Sequence, residues 1–250
     1  MTQFREPPSW IFFDLDGTLW DHAAACRSAV MKVCERYGVS PMTFHPLFVE
    51  SNEQLWVQLA NGEITFAELN VRRFEMALDR ASAGCCAYDA QEVADYYIEN
   101  YIGPEFPLPG ARDAVRHASR SASLAILTNG QRFTQEVKLS HLGREAGLFS
   151  FMLCAADIPA VKPQDAFFAE ALGRAGDPPR QSVWMVGDNW EEDVVCAERF
   201  GFGAVWLSHG RPVPDRPNGR IHVIEDIRGL PDLLDRARGQ EGRGSSASSV

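Results

Sequence analysis

The chain has no apolar run near the ~18–20 residues that a bilayer-spanning helix needs, although 45% of its 250 residues are hydrophobic. The opening Met1-Thr2-Gln3-Phe4-Arg5-Glu6-Pro7-Pro8 has no basic stretch followed by a long apolar core, so no signal peptide is expected. Basic charge is in deficit. The formal net charge of −10 excludes a general binder of nucleic-acid polymers or of anionic membrane surfaces, either of which would show a basic face. It does not exclude a phosphorylated small molecule, because one local site can be positive inside an acidic protein. The six cysteines (Cys26, Cys34, Cys85, Cys86, Cys154 and Cys196) form no Cys-x-x-Cys pair and no zinc-ligand spacing. Reduced, mostly buried thiols of a cytoplasmic protein are the expectation. Lysine is the scarcest cation: Lys32, Lys138 and Lys162 are the only ones.

What is present is a set of short apolar runs ending in polar signatures. Trp10–Phe13 leads into Asp14-Leu15-Asp16-Gly17-Thr18, and Leu124–Leu127 into Thr128-Asn129-Gly130. Val183–Val186 leads into Gly187-Asp188-Asn189-Trp190-Glu191-Glu192-Asp193, and Lys162-Pro163 lies between the last two. Phe151–Cys154, Ala204–Leu207 and the weaker Ile221–Ile224 complete the strand candidates. Uninterrupted apolar runs suit strands buried on both faces. Helical patterns between them, such as Asp165–Ala175 and Glu191–Phe200, imply an α/β fold with a Rossmann-like parallel sheet and right-handed crossovers. In such sheets ligands gather at the carboxyl ends of the strands.

From Asp21 to Glu105 the periodicity is helical. Cys26, Val30, Val33, Cys34 and Tyr37 form one stripe closed by Gly38. Leu55, Val57, Leu59 and Ala60 form a second apolar group, ended by Asn61-Gly62. Thr65 with Glu68 reads as a capping box, and Asp89 to Tyr101 suggests a fourth helix. This is too much chain for a loop. The expected organisation is an α/β core from 1–20 and 106–238, an inserted α-helical cap over the rim of the sheet at 21–105, and a disordered Gly/Ser-rich tail at 239–250.

Asp14 and Asp16 stand two apart at a strand end, where a regular strand would give them one face. Transfer of a phosphoryl group to a carboxylate needs a nucleophile and a separate acid for the leaving oxygen; the same residues also suit a plain turn. Thr128 and Asn129 offer a hydroxyl and an amide to phosphate oxygens. Lys162 offers a compact positive charge. Asp188 and Asp193 add carboxylates of the kind a hard cation such as Mg²⁺ prefers. Glu191 and Glu192 suit a helix N-terminus, where negative charge is favourable.

This order of signatures, over roughly residues 9–208, resembles the haloacid dehalogenase-like (HAD) hydrolases, and within them the phosphatase branch. The resemblance implies Asp14 as nucleophile and Asp16 as general acid, then base. It implies a Mg²⁺ site formed by Asp14, Asp188 and the backbone carbonyl of Asp16, with Asp193 supporting it from behind. Thr128, Asn129 and Lys162 would hold the phosphate. The segments Asn52 to Asn61-Gly62, Arg73-Phe74-Glu75 and Pro107-Leu108-Pro109-Gly110-Ala111 are similar to the bacterial HAD pyrimidine 5′-nucleotidases, which implies nucleoside 5′-monophosphates as substrates. Trp20, Trp56, Phe66 and Phe74 would then either wall a base pocket or pack the cap. A phosphatase of a small metabolite, such as phosphoglycolate or a sugar phosphate, is the alternative. A phosphomutase, a dehalogenase and a catalytically silent binder are further ones. The acid at Asp16 and the metal carboxylates speak against the dehalogenase.

Overall fold

A computed structural model describes residues 7–82, 88–214 and 220–244. Cys85, Cys86 and the tail residues 245–250 lie outside them. The chain divides into two compact units, one made of Met1–Asp21 with Phe106–Val250, the other of His22–Glu105.

The first unit carries a six-stranded sheet. Its strands are β1 (Trp10–Phe13), β2 (Ser123–Thr128), β3 (Phe149–Cys154), β4 (Val183–Gly187), β5 (Gly203–Leu207) and β6 (Ile221–Ile224). Their order across the sheet is β3-β2-β1-β4-β5-β6, and every pairing is parallel. The apolar runs become strands because each is buried on both faces. Ile11, Phe12 and Phe13 are wholly inaccessible, as are Leu124 to Leu127 and Val183 to Val186. On one face Phe12, Met185 and Trp206 pack with Phe167, Phe168, Phe200 and Phe202. Burying one such phenyl ring contributes about 1.5–3 kcal/mol.

Strand order reverses between β1 and β4, so the chain departs in opposite directions from two adjacent carboxyl ends. That crevice is where open α/β sheets bind ligands. Register puts Phe13 level with Ile126 and with Val186. The signatures following β1, β2 and β4 therefore emerge side by side.

The second unit holds the four helices α1 (His22–Tyr37), α2 (Pro41–Ala60), α3 (Phe66–Ser82) and α4 (Ala90–Ile102). The expected α1 stripe is present, with Val30, Val33 and Cys34 buried. Thr65 and Glu68 do form a reciprocal capping box: the Glu68 carboxylate accepts from Thr65 N at 2.7 Å, and Thr65 Oγ1 accepts from Glu68 N at 3.2 Å. Asp89 caps α4 by accepting from the amides of Gln91 and Glu92. The apolar group ending α2 is only half internal: Leu55 is buried, but Val57 is 62% exposed. Rings of Phe44, Phe48, Phe74 and Tyr97 make the core of this unit, with centroids 5.2–6.5 Å apart.

The remaining helices belong to the first unit: α5 (Ala111–Ala118), α6 (Arg132–Ser140), α7 (Asp165–Arg174), α8 (Cys196–Phe200) and α9 (Leu230–Gly244). The helix expected at Glu191–Phe200 is split. Trp190–Val195 is a wider π-turn, and α8 starts only at Cys196. Among the described residues no helix is long and apolar enough to cross a membrane. Cys34, Cys154 and Cys196 are free and buried, and Cys26 is free and half-buried. Burial pushes the Cys154 and Cys196 thiols up to about 12.

Candidate active site

After β1 the backbone turns sharply. The amides of Thr18, Leu19 and Trp20 all approach the carbonyl of Leu15, and Gly17 adopts φ +83°. A Cβ on Gly17 would stand 2.6 Å from the Asp188 carboxylate. Only glycine satisfies both the turn and that approach. Asp14 is tied to the neighbouring strand end by its amide, which donates to Val186 O at 2.9 Å.

Lys162 joins two of the acids. Its Nζ donates to Asp14 Oδ1 at 2.7 Å and to Asp193 Oδ1 at 2.6 Å. All three residues are buried. Thr18 Oγ1 donates to the other oxygen of Asp14 at 3.3 Å. Burial pushes the Asp14 carboxyl above the usual carboxylate range; Lys162 opposes this and Asp193 adds to it. Burial pushes Asp193 the same way, again against Lys162. Desolvation would pull Lys162 down, but the two carboxylates override it and hold its ammonium well above the ordinary lysine value.

Asp188 lies beside this line. One carboxylate oxygen from each of Asp14, Asp188 and Asp193 falls within a 4.8 Å group. Burial, and after it Asp14, raises the Asp188 carboxyl to about 6, with Arg211 and His209 acting in the opposite sense. Trp206 Nε1 donates to Asp188 O at 3.0 Å, and Arg211 donates to the same carbonyl. His209 Nε2 is 2.7 Å from Gly17 O. A carbonyl only accepts, so the proton sits on Nε2.

Thr128 and Asn129 stand at the end of β2, as expected, but they do different things. Thr128 Oγ1 accepts from Gly130 N at 3.0 Å and from Gln135 Nε2 at 2.8 Å. Both contacts use the hydroxyl oxygen as acceptor, and neither uses its hydrogen. The Asn129 side chain is committed to the protein. Its Oδ1 accepts from Lys162 N at 2.8 Å, and its two amide hydrogens go to Lys162 O and Glu192 Oε2. It thus fixes the backbone of Lys162 and leaves no side-chain hydrogen for a phosphate. Glu192 is more than a helix-end acid for the same reason. Asn189 caps the π-turn by accepting from the amides of Glu191 and Glu192, and Asp193 turns back to accept from Asn189 N.

Asp16 points to a different partner. Lys138 Nζ donates to its two oxygens at 2.7 and 2.9 Å, and Gln135 Nε2 donates to Oδ2 at 2.8 Å. Gln135, Lys138, His209 and Arg211 are not marked by the motifs. The one available signal is that Lys138 is a rare lysine three residues after Gln135, on the same helical face.

The two tryptophans separate. Trp20 is 1% exposed, stacked on His141 and edge-on to Phe106. It packs the α/β unit and offers a ligand no face. Trp56 is half-buried against Phe66 and the small cluster of Leu55, Ile64 and Leu69. Phe74 is wholly buried.

Known proteins give the same picture. Residues 8–201 match the family model of haloacid dehalogenase-like hydrolases. The chain is 30% identical over 224 residues to pyrimidine 5′-nucleotidase YjjG of Escherichia coli K12, covering 88% of this chain and 96% of that one. It is 30% identical over 243 residues to a phosphoglycolate phosphatase of Pseudomonas fluorescens Pf0-1, covering 92% and 81%. Its fold is similar to that of the HAD-hydrolase YfnB of Bacillus subtilis, solved bound to magnesium, with TM-score 0.79, 20% identity and coverage of 92% and 100%. With the four signatures gathered at one sheet rim, the family match over most of the chain makes this protein a member of the haloacid dehalogenase-like hydrolases.

Proposed function

We propose that the protein is a Mg²⁺-dependent phosphomonoester hydrolase acting on pyrimidine nucleoside 5′-monophosphates through an aspartyl-phosphate intermediate. The observation that supports this most is the buried line Asp193–Lys162–Asp14, with Asp188 beside it and Asp16 held apart. In this reading Asp14 attacks phosphorus, the bond to the leaving oxygen breaks, and Asp16 gives that oxygen its proton. Water then attacks the acyl phosphate, Asp16 takes a proton from the water, and the bond from phosphorus to Asp14 breaks to release phosphate. Thr128 donates its hydroxyl proton to a phosphate oxygen, and Lys162 offsets the charge of the transferring group. Asn129 serves by holding Lys162 in place.

The residues present fit a small hard dication, since three carboxylates offer oxygens within one ligand-sized group. Asp14, Asp188 and the carbonyl of Asp16 would hold it, and Asp193 would brace Lys162 behind them. When bound, Mg²⁺ supplies the positive charge that lets two carboxylates and a phosphate approach one another.

The substrate class rests on the likeness to the pyrimidine nucleotidase and on the helical segments around Trp56 and Asn61-Gly62. A second reading, hydrolysis of a small phosphorylated acid, draws on the equal identity to the phosphoglycolate phosphatase. The deciding measurement is kcat/KM for UMP, dUMP and dTMP beside phosphoglycolate and hexose phosphates. A preference above about tenfold for the small phosphates, or ~1.4 kcal/mol of transition-state stabilisation, would replace the nucleotidase reading with the second one.

A further inference from the structure

Helix α6 is built the wrong way round for an ordinary surface helix. Its buried residues are Thr134, Gln135 and Lys138, and the Lys138 side chain is 2% exposed. Its aromatic residue, Phe133, is 62% exposed. A short amphipathic helix normally buries its apolar side chains and leaves lysine in water. Burying an ammonium is costly unless it is paired and hydrogen-bonded. Here it is paired with Asp16, 122 residues away in sequence.

The contact is a cradle rather than a single ion pair. Lys138 reaches both oxygens of Asp16, and Gln135 reaches one of them. Gln135 Nε2 also donates to Thr128 Oγ1, so one amide spans the acid of the first signature and the hydroxyl of the second. Space is kept for that amide. A Cβ on Gly130 would lie 1.8 Å from Gln135 Nε2. The Asp16 side chain remains 27% exposed, so the cradle holds it without enclosing it.

We propose that Lys138 and Gln135 are positioning residues for Asp16: α6 fixes the direction in which its carboxylate faces and ties that direction to Thr128. The proposal rests on the reading of Asp16 as the acid that protonates the leaving oxygen. A general acid acts only within hydrogen-bond reach of its target, so a carboxylate released from three hydrogen bonds loses rate even when it stays chemically intact.

The test compares two leaving groups. An alkyl phosphate such as UMP needs its leaving oxygen protonated, whereas 2,4-dinitrophenyl phosphate does not. In Lys138→Met, kcat on UMP is expected to fall about 10–100-fold, part of the roughly 10²–10⁴-fold that general acid catalysis contributes when lost outright, and kcat on the dinitrophenyl ester less than about threefold. KM is expected to change little on either. Lys138→Arg keeps the charge and the donors and should restore most of the UMP rate. If Lys138→Met does not fold, Gln135→Leu removes one donor while keeping the ion pair, and should show the same split on a smaller scale. Equal slowing of both esters, or a variant as fast as the parent on both, overturns the positioning role. A parent protein inert toward both esters overturns the phosphatase reading, and the positioning role with it. A parent rate that depends on Asp14, together with unsplit variants, overturns the positioning role alone.

Discussion

Gly17 and Asp188 touch across the ends of β1 and β4, with a virtual Cβ on Gly17 only 2.6 Å from an Asp188 oxygen. Gly17→Ala therefore forces either the turn or the carboxylate to move. The left-handed backbone alone costs about 1–2 kcal/mol with a side chain present. The larger expected effect is on the cation site. Mg²⁺ affinity should fall at least ~10-fold, or ~1.4 kcal/mol, in a titration followed by tryptophan fluorescence, since Trp206 donates to Asp188 O.

The nucleophile has a direct test. Asp14→Asn should lower kcat more than about a thousandfold, because an amide does not attack phosphorus as a carboxylate does. The fold should survive, since Lys162 keeps Asp193 as a partner. Circular dichroism with phosphate release checks both halves. Turnover near that of the parent would remove Asp14 from the mechanism.

Protons and cation compete at Asp188. Its carboxyl is raised from 3.8 to about 6, chiefly by burial. In the metal-free protein, stability is lost as pH rises through the window in which the unfolded chain ionises this group and the folded chain does not. That loss is absent below 3.8 and is complete above about 6. Mg²⁺ relieves it, so the rise in Tm on adding Mg²⁺ should be larger at pH 7.5 than at pH 5. Mg²⁺ affinity should also rise with pH through about 6, where Asp188 ionises, and on to about 7, where Asp14 does, and then level off. Calorimetric titration at four or five pH values reads this directly. An affinity independent of pH would exclude Asp188 as a ligand.

Lys162→Met leaves two buried carboxylates facing each other. Breaking a buried ion pair by removing one partner typically costs about 3–5 kcal/mol. The carboxylates escape part of that cost by taking up a proton, so the variant should regain stability as pH falls below neutrality. Urea unfolding at pH 5.5 and pH 8 measures the difference. Equal destabilisation at both pH values would contradict the charge argument.

Much of the α/β unit could be read in advance, because its strands are runs such as Leu124–Leu127 whose both faces are buried. Such runs carry their own signal. The capping box at Thr65 and Glu68 is local and was legible for the same reason. What escaped the sequence is non-local. The Asn129 side chain looks like a phosphate donor until Lys162, 33 residues on, takes up its oxygen and one of its hydrogens. Lys138 carries no motif of its own, and only the fold brings Asp16, 122 residues away, to it. The π-turn at Trp190–Val195 has no composition of its own, and it marks the place where Asp193 reaches Lys162.

Strand order also governs how this chain is made. β1 leaves the ribosome early, yet its neighbours in the sheet are β2 and β4. From Phe13 to Val183 there are roughly 170 residues, which at the usual synthesis rates take about 10–30 s. During that interval Trp10–Phe13 is an apolar strand with at least one unpaired edge. Nascent chains halted before Val183 should therefore aggregate or recruit chaperones, whereas chains extended past Leu207 should not. Pulse-chase capture of stalled chains would compare the two lengths.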